Sequence, residues 1–263
     1  MQRPLRRLRA AALAVLPSLV VALPSAGAAP AAAPVRVMQF NICGAICNHG
    51  VVTKAGGGND VVDDVVARIA GFRPAIVTLN EVCAGQFNRL KALLGARGMS
   101  GAFRAQRTDG RCPGRGFGDA VFTTGGIKGQ LVLPLPNRSE HRAVLCVWTA
   151  AGGGPVLACV LHTETADPLR SLQVAAAARE LNGRAQNSAV VVGGDFNTTP
   201  GGMGALLGGG GKFFDVDPQK APTRGNKVDY LLFDKGHFAG PSGGPVGSKF
   251  SDHDALLGQA TRR

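Results

Sequence analysis

Glu81 and Asp195 are where a chemical reading of this chain begins. Each follows a short apolar run, residues 75–79 for the first and 189–192 for the second. Each run reads as a buried strand, and each comes after a segment whose apolar residues recur at helical spacing. Layered α/β proteins collect ligands at strand ends, so two acids delivered there from distant parts of the chain can converge on one cation. Carboxylate and amide oxygens suit a hard divalent cation, and such a cation neutralises charge that builds on a phosphoryl oxygen. A single acid after a strand is usually a helix cap or a solvated loop. Two in equivalent settings ask for more.

The elements that must position them can be read along the chain. Residues 35–40 form a first strand, and Asn59 or Asp60 caps a helix carrying Val62, Val65, Val66, Ile69 and Ala70 on one face. Pro74 precedes the strand 75–79, and a second helix, roughly 84–97, stops near Gly98. Residues 105–117 read as a basic, Gly-containing loop, with strands near 120–122, 143–148 and 155–162. Asp167-Pro168 predicts a helix start, the acid at the N-cap and the proline at the first helical position, with the helix running to about Leu181. After Asp195 the chain is Gly-rich to Lys212, resumes as a strand at 228–233, passes another Gly/Pro loop and ends in a strand after His253. Strands alternating with helices, plus one hairpin, predict a single α/β layered domain.

The first residues carry Arg3, Arg6, Arg7 and Arg9, then an apolar run over 10–23 and an Ala-Gly-Ala triplet ending at Ala28. That order predicts a secretory signal peptide over 1–28. Pro17 and a length short of roughly 20 apolar residues argue against a membrane anchor. An Ala/Pro-rich arm, 29–34, then leads into a domain over 35–263. The leader takes four arginines and no acids from a chain of net charge +12, leaving +8. Outside the cell such a charge favours polyanions: nucleic acid, anionic lipid or wall polymer. The bland alternative is a charge bias of the whole genome. All six cysteines lie beyond the leader, which in an exported chain points to disulfides. None has zinc-site spacing.

Six short motifs follow in order: VMQFNI at Asn41, VTLNEV at Glu81, LHTE at His162, GGDFNTTP at Asp195 and Asn197, KVDYLLF at Asp229, and SDHDAL at Asp252 and His253. Together they resemble the endonuclease/exonuclease/phosphatase superfamily, which includes pancreatic-type deoxyribonucleases, apurinic-site endonucleases, neutral sphingomyelinases and inositol polyphosphate phosphatases. The resemblance implies a four-layered α/β sandwich, two packed mixed sheets flanked by helices, and a metal-dependent phosphodiesterase. It implies Asn41, Glu81 and Asp252 as oxygens toward a divalent metal, Mg2+ with Mn2+ or Ca2+ as alternatives. It implies His162, Asp195, Asn197, Asp229 and His253 as catalytic, and Arg142 with Asn197 toward the substrate phosphate. Asp229 would fix the His253 tautomer through the far ring nitrogen, and His162 would be a second proton donor. The general base is Asp195 or His253; the motifs leave both open. Arg142 has the plainer alternative of a solvated charge at a strand edge.

The chain departs from the family pattern in places. Asn80 stands where Gln is frequent before the glutamate, and Gly118-Asp119-Ala120 where Gly-Asn-Ala is frequent. No glutamate lies between Gly98 and Thr124 to orient His162, leaving Asp119 and Glu164 as candidates. The only tryptophan is Trp148 and the only tyrosine is Tyr230, so an aromatic pocket for an extruded sugar and a tyrosine wedge are both missing. Arg170 and Gln173 are expected to join a loop to the following helix. The leading function is an extracellular nuclease acting on DNA, with Arg104, Arg107, Arg111 and Arg115 in one loop along the phosphate backbone. The alternatives are a secreted phospholipid phosphodiesterase of the sphingomyelinase type, disfavoured by an aromatic content of 5%, and a phosphomonoesterase. A non-catalytic binder is disfavoured because no motif residue is replaced by an inert one. No protein partner is expected.

Gly152-Gly153-Gly154 between two strands predicts a hairpin with Cys146 opposite Cys159. A non-hydrogen-bonded pair brings Cα atoms to about 4.5 Å, within reach of a disulfide. By elimination Cys43–Cys47 and Cys83–Cys112 are the remaining pairs. The exported protein is predicted to begin close to Ala29. N-terminal sequencing of secreted material checks this, and finding Met1 retained would overturn it.

Overall fold

Strands covered on both faces need apolar residues at nearly every position, and this chain supplies them at the centres of two sheets. The computed structural model describes residues 33–45, 59–112, 114–217 and 226–263. The leader and Cys47 lie outside those residues, and the expected Cys43–Cys47 pair with them. In chain order come β1 (Val35–Asn41), α1 (Asn59–Phe72), β2 (Ile76–Cys83), α2 (Ala84–Gly95), β3 (Ser100–Thr108), β4 (Gly116–Thr123), β5 (Gly129–Pro134), β6 (Ala143–Ala151) and β7 (Gly154–His162). Then follow α3 (Leu169–Arg184), β8 (Val190–Asp195), a short 3-10 turn, α4 (Gly204–Leu207), β9 (Phe213–Asp215), β10 (Asp229–Asp234), β11 (Phe238–Val246) and β12 (Ala255–Arg262). The first sheet runs β11-β12-β1-β2-β4-β3 and the second β5-β6-β7-β8-β10-β9. Each contains one parallel pair, β1–β2 and β7–β8, so both are mixed.

Alternate residues of each central strand face different layers. Val35, Val37, Ile76 and Val121 of the first sheet pack against Val147, Val160, Val191 and Leu231 of the second. Met38, Phe40, Val77 and Leu79 point the other way, onto Val62, Val65 and Ile69 of α1 and Leu90 and Leu94 of α2. On the far side Val144, Leu157 and Val192 meet Val174, Ala177 and Leu181 of α3. The result is the four-layered sandwich that the resemblance implies. The sheets come close beside the end of β8, where a Cβ on Gly193 would stand 2.0 Å from the Thr78 hydroxyl of the first sheet. Only glycine leaves room for that approach.

Several expected boundaries move. The stretch 105–117 is strand at both ends: β3 and β4 pair antiparallel from Ser100↔Thr123 to Thr108↔Gly116, with a turn between them. Arg104 and Arg107 therefore sit on β3, while Arg111 and Arg115 sit in the turn. The Gly/Pro stretch before His253 is β11, at the edge of the first sheet. Helix α3 starts one residue later than expected, with Pro168 at the N-cap after a cis peptide bond; Asp167 still accepts the Ser171 N–H at 3.2 Å. The hairpin is as read, with Cys146 paired to Cys159 in register and bonded at a Cα separation of 4.0 Å. Gly152 and Gly153 take positive φ at its turn, as a two-residue hairpin requires. Cys83 and Cys112 are also bonded.

A polar seam crosses the apolar interior near the functional end. Thr78 donates to Gln39 Oε1 at 2.7 Å, and Gln39 Nε2 donates to Asn80 Oδ1 at 2.7 Å. That same Asn80 oxygen accepts the Asp195 backbone N–H at 3.0 Å, while its Nδ2 donates to Asp119 Oδ1 and to the Leu161 carbonyl, both at 2.9 Å. Every hydrogen-bonding capacity of the Asn80 amide is used, and it fastens the first sheet to the ends of β7 and β8. Burial pushes the Asp119 carboxyl up to about 7, although the Asn80 bond opposes it. Gln106 Nε2 donates to Asp119 Oδ2, while Gln106 Oε1 is buried without a partner. Turning that amide over would set its oxygen against a carboxylic-acid proton.

With its pKa raised, Asp119 adds stability that is fully present below 3.8 and is lost as pH rises through about 7. Asp119→Asn keeps the acceptor for Asn80, gives Gln106 a donor and removes the charge. The variant is predicted to melt with the wild type near pH 4 and about 3 °C or more above it at pH 8. Thermal unfolding across that range checks this; a variant that loses stability at pH 8 contradicts it.

Candidate active site

One rung of the second sheet brings together residues far apart in sequence. His162 of β7 and Asp229 of β10 both pair in register with Asp195, the last residue of β8. Neighbouring strands lie about 4.8 Å apart, so three side chains with proton-transfer or ligand chemistry stand in one row. His162 Nε2 is 3.6 Å from Asp195 Oδ2, and His253, from the turn before β12, places Nε2 3.8 Å from that same oxygen. His253 Nδ1 is held by Asp229 Oδ2 at 2.7 Å. Ser251 sets the turn, donating to the Asn41 carbonyl at 2.8 Å and accepting the His253 N–H at 3.1 Å.

The first sheet supplies the opposite wall. Glu81 does not follow the end of its strand, as the sequence suggested, but lies within β2 where the register with β4 shifts between Leu79 and Val82. Its φ of 59° is left-handed, and a bulge of this kind re-aims a side chain. Asn41, fully buried at the end of β1, donates from Nδ2 to Glu81 Oε1 at 3.1 Å and to Asp195 Oδ2 at 3.2 Å. Its oxygen accepts the Cys43 N–H at 3.0 Å. Asn197, also left-handed, fixes the other oxygen of Asp195 through its backbone N–H at 2.9 Å and gives its side-chain amide to the Thr163 carbonyl at 3.0 Å. Arg170 closes the far side, donating to the Thr165 and Asn197 carbonyls. Gln173 joins Glu164 to Pro136.

Two histidines in one site carry different charge. Burial pulls His253 down, yet the carboxylates of Asp229, Asp195 and Asp252 outweigh it and lift the imidazole to about 10. His162 is driven well below its ordinary value by burial, with Arg142 beside it. At neutral pH the first is a cation and the second is neutral. Asp195 rises to about 7, from burial first and the Asp229 charge next. Glu81 is raised by burial against the Asn41 hydrogen bond, and no ion pair reaches it among the described residues. Asp252 lies close enough to repel it.

The donors fit a hard divalent cation. Asp195, Asp229 and His253 have ligand atoms all within 4.8 Å of one another, but the Asp229 bond to His253 makes that trio a proton-bearing chain. Glu81 is half-buried with no ion pair to a base among the described residues, and Asp252 and Asp195 face the same cavity of about 390 Å³. Asn41 stands behind Glu81 and aims it through Nδ2, and its oxygen, which accepts the Cys43 N–H, keeps a second lone pair.

All the residues singled out in the motifs meet here: Glu81, His162, Asp195, Asn197, Asp252, His253 and Arg142 line the cavity, with Asn41 and Asp229 behind them. Arg142 is buried, bonded to the His162 carbonyl at 3.2 Å and to Glu140 at 2.7 Å, and is no solvated edge charge. Neither Asp119 nor Glu164 orients His162, whose Nδ1 is buried without a hydrogen bond; Asp119 is taken by Asn80 and Gln106. Of the four arginines expected in one loop, only Arg107 and Arg111 reach the cavity wall. Sequence reading missed Glu140, Asp109 and Ser251. Only Ser251 carried a signal, next to Asp252-His253 in the last motif.

Residues 38–253 match the Endonuclease/Exonuclease/phosphatase family. Among curated proteins none matches. The fold is similar to that of the human Nocturnin catalytic domain with bound sulfate, at 19% identity over 88% of this chain and 94% of that one, with a TM-score of 0.69. It is similar to an endonuclease/exonuclease/phosphatase from Beutenbergia cavernae, at 22% identity over 87% and 72%, TM-score 0.67. A third similar structure is TDP2 from D. rerio complexed with a single-strand DNA product, at 14% identity over 87% and 99%, TM-score 0.63. At these identities the likeness is one of fold.

The charge on His253 depends on Asp229. Asp229→Asn is predicted to drop the His253 pKa from about 10 to near or below the ordinary histidine value of about 6.5. NMR titration of the imidazole measures it, and a His253 that still titrates near 10 in the variant would refute the assignment.

Proposed function

The chain belongs to the endonuclease/exonuclease/phosphatase family, and from that membership we propose a secreted, divalent-metal-dependent phosphodiester hydrolase that acts on nucleic acid, DNA first. The observation that carries the reading is Glu81, a half-buried carboxylate with no ion pair among the described residues, facing one cavity with Asp195 and His253. Glu81 and Asp252 would hold the cation, Mg2+ or else Mn2+ or Ca2+, with Asn41 aiming Glu81. When bound, the cation neutralises charge on the scissile phosphate.

The remaining work falls to the chain's own side chains. Asp195, pinned at both oxygens by Asn41 and by the Asn197 N–H, takes the proton of the attacking water. His253 is already protonated, so it serves as donor to the phosphoryl oxygen, with Asp229 holding its far nitrogen. Of the two candidate bases this favours Asp195. Neutral His162 offers a second donor, and Arg142 beside it faces the anion. Export is supported by the Cys83–Cys112 and Cys146–Cys159 disulfides, which persist in oxidising compartments. No described helix is long and apolar enough to cross a membrane. A nucleic-acid substrate is supported by the basic chain and by the DNA product named with D. rerio TDP2. Among the described residues the exposed large apolar side chains, Leu93, Val132, Leu172 and Val246, are spread one each over α2, β5, α3 and β11.

The test is hydrolysis of plasmid DNA, RNA, sphingomyelin and bis(p-nitrophenyl) phosphate, each with Mg2+, Mn2+ or Ca2+. Metal-dependent cleavage of DNA is expected, with sphingomyelin inert. Glu81→Ala should lose activity and regain part of it at high metal concentration, whereas His253→Ala should fall by roughly 10²–10⁴-fold at every metal concentration. Normal turnover in a folded His253→Ala would defeat the reading.

A further inference from the structure

We infer that Arg107 and Arg111 form a subsite for a second phosphate, adjacent on the same chain to the one being cut, so that the substrate is an oligonucleotide and not an isolated diester. This rests on the proposed function and adds the substrate's extent. Both arginines line the cavity that holds Glu81 and His253. Arg111 is clamped, its Nε and Nη2 donating to the two oxygens of Asp109 at 2.8 and 2.6 Å, and its backbone N–H to Oδ1 at 3.0 Å. Its Nη1 has no hydrogen bond among the described residues, and the side chain is 49% exposed. A guanidinium fixed along one edge and open along the other is ready for an anionic oxygen without further ordering. Arg107 is fixed as well, bonded to Glu140 at 2.7 Å and Asp109 at 3.0 Å and stacked over the Phe117 ring at 4.4 Å.

The turn carrying Arg111 is tied to the metal side of the site. Cys112, the next residue, is bonded to Cys83, two residues beyond Glu81. The disulfide thus holds Arg111 at a set place relative to the scissile phosphate. In the ion pairs of this wall three guanidiniums, Arg107, Arg111 and Arg142, share two carboxylates, Asp109 and Glu140; Glu164 also lines the cavity. Phe117, the aromatic residue on the wall, is buried and covered by Arg107, so no ring is offered for a base to stack on. Recognition here is of the backbone.

The experiment compares kcat/KM on bis(p-nitrophenyl) phosphate, which has one phosphate, and on a short labelled single-stranded DNA, for wild type, Arg111→Ala and Arg111→Lys. Arg111→Ala should lose roughly tenfold more on DNA than on the small diester, and Arg111→Lys should fall between. The slope of log(1/Kd) against log salt for the DNA, measured with chelator present, should become shallower by about 0.7 in Arg111→Ala. Equal losses on both substrates, or an unchanged slope, overturn the subsite while leaving the hydrolase reading intact. A wild type that cleaves neither substrate defeats the hydrolase reading and this inference with it.

Discussion

The Asn41 amide sets the frame on which the rest of the site depends. Its nitrogen donates to Glu81 and to Asp195, carboxylates from two different sheets that would otherwise repel each other in a buried space. Two like charges brought this close raise each other's pKa unless a cation or a proton comes between them. Among the described residues no lysine or arginine pairs with Glu81; His253 and Arg142 act on it only across space. The fold reinforces the repulsion instead: a bulge re-aims Glu81, Gly193 lets the sheets approach, and Asn80 ties the Asp195 backbone to the first sheet. A structure that holds acids together against their repulsion has left a seat for positive charge.

Environment then divides labour among similar groups. His162 and His253 both lie within 4 Å of Asp195 Oδ2. One is neutral because burial and Arg142 act on it; the other is charged because three aspartates surround it. Pairs of titratable groups pushed apart in this way mark acid and base assignments. Asp195, at about 7, lies between them. Asp119 is raised to a similar level for another reason, burial in the seam that fastens the sheets, and it takes no part at the cavity.

The site was legible because each motif lies on or beside a central strand, and central strands announce themselves by continuous apolar runs. What sequence reading missed is equally systematic. β3, β5, β9 and β11 are the four edge strands of the two sheets, and edges carry charge, glycine and proline because they must not recruit further strands. The segment Phe238–Val246 has two prolines and three glycines, so it read as a loop. β3 read as part of a basic loop for the same reason, which gathered Arg104 with Arg107, Arg111 and Arg115 although only two of them reach the cavity. Glu140 and Asp109 were invisible because their role is to hold arginines that come near only in the folded chain. The bulge at Glu81 left no trace, since a left-handed glutamate looks like any other.

The central claim is that Glu81, its carboxyl raised by burial and by Asp252, holds a divalent cation beside the raised carboxyl of Asp195. Calorimetric titration of the metal-free protein with Mg2+ or Mn2+ at pH 7, repeated in buffers of different ionisation enthalpy, tests it most directly. Displacing protons from raised carboxyl groups on binding gives a heat that depends on the buffer. The account predicts saturable binding with net proton release in the wild type, both lost in a folded Glu81→Gln. Absence of saturable binding in the wild type, or binding that Glu81→Gln leaves unchanged, would contradict it.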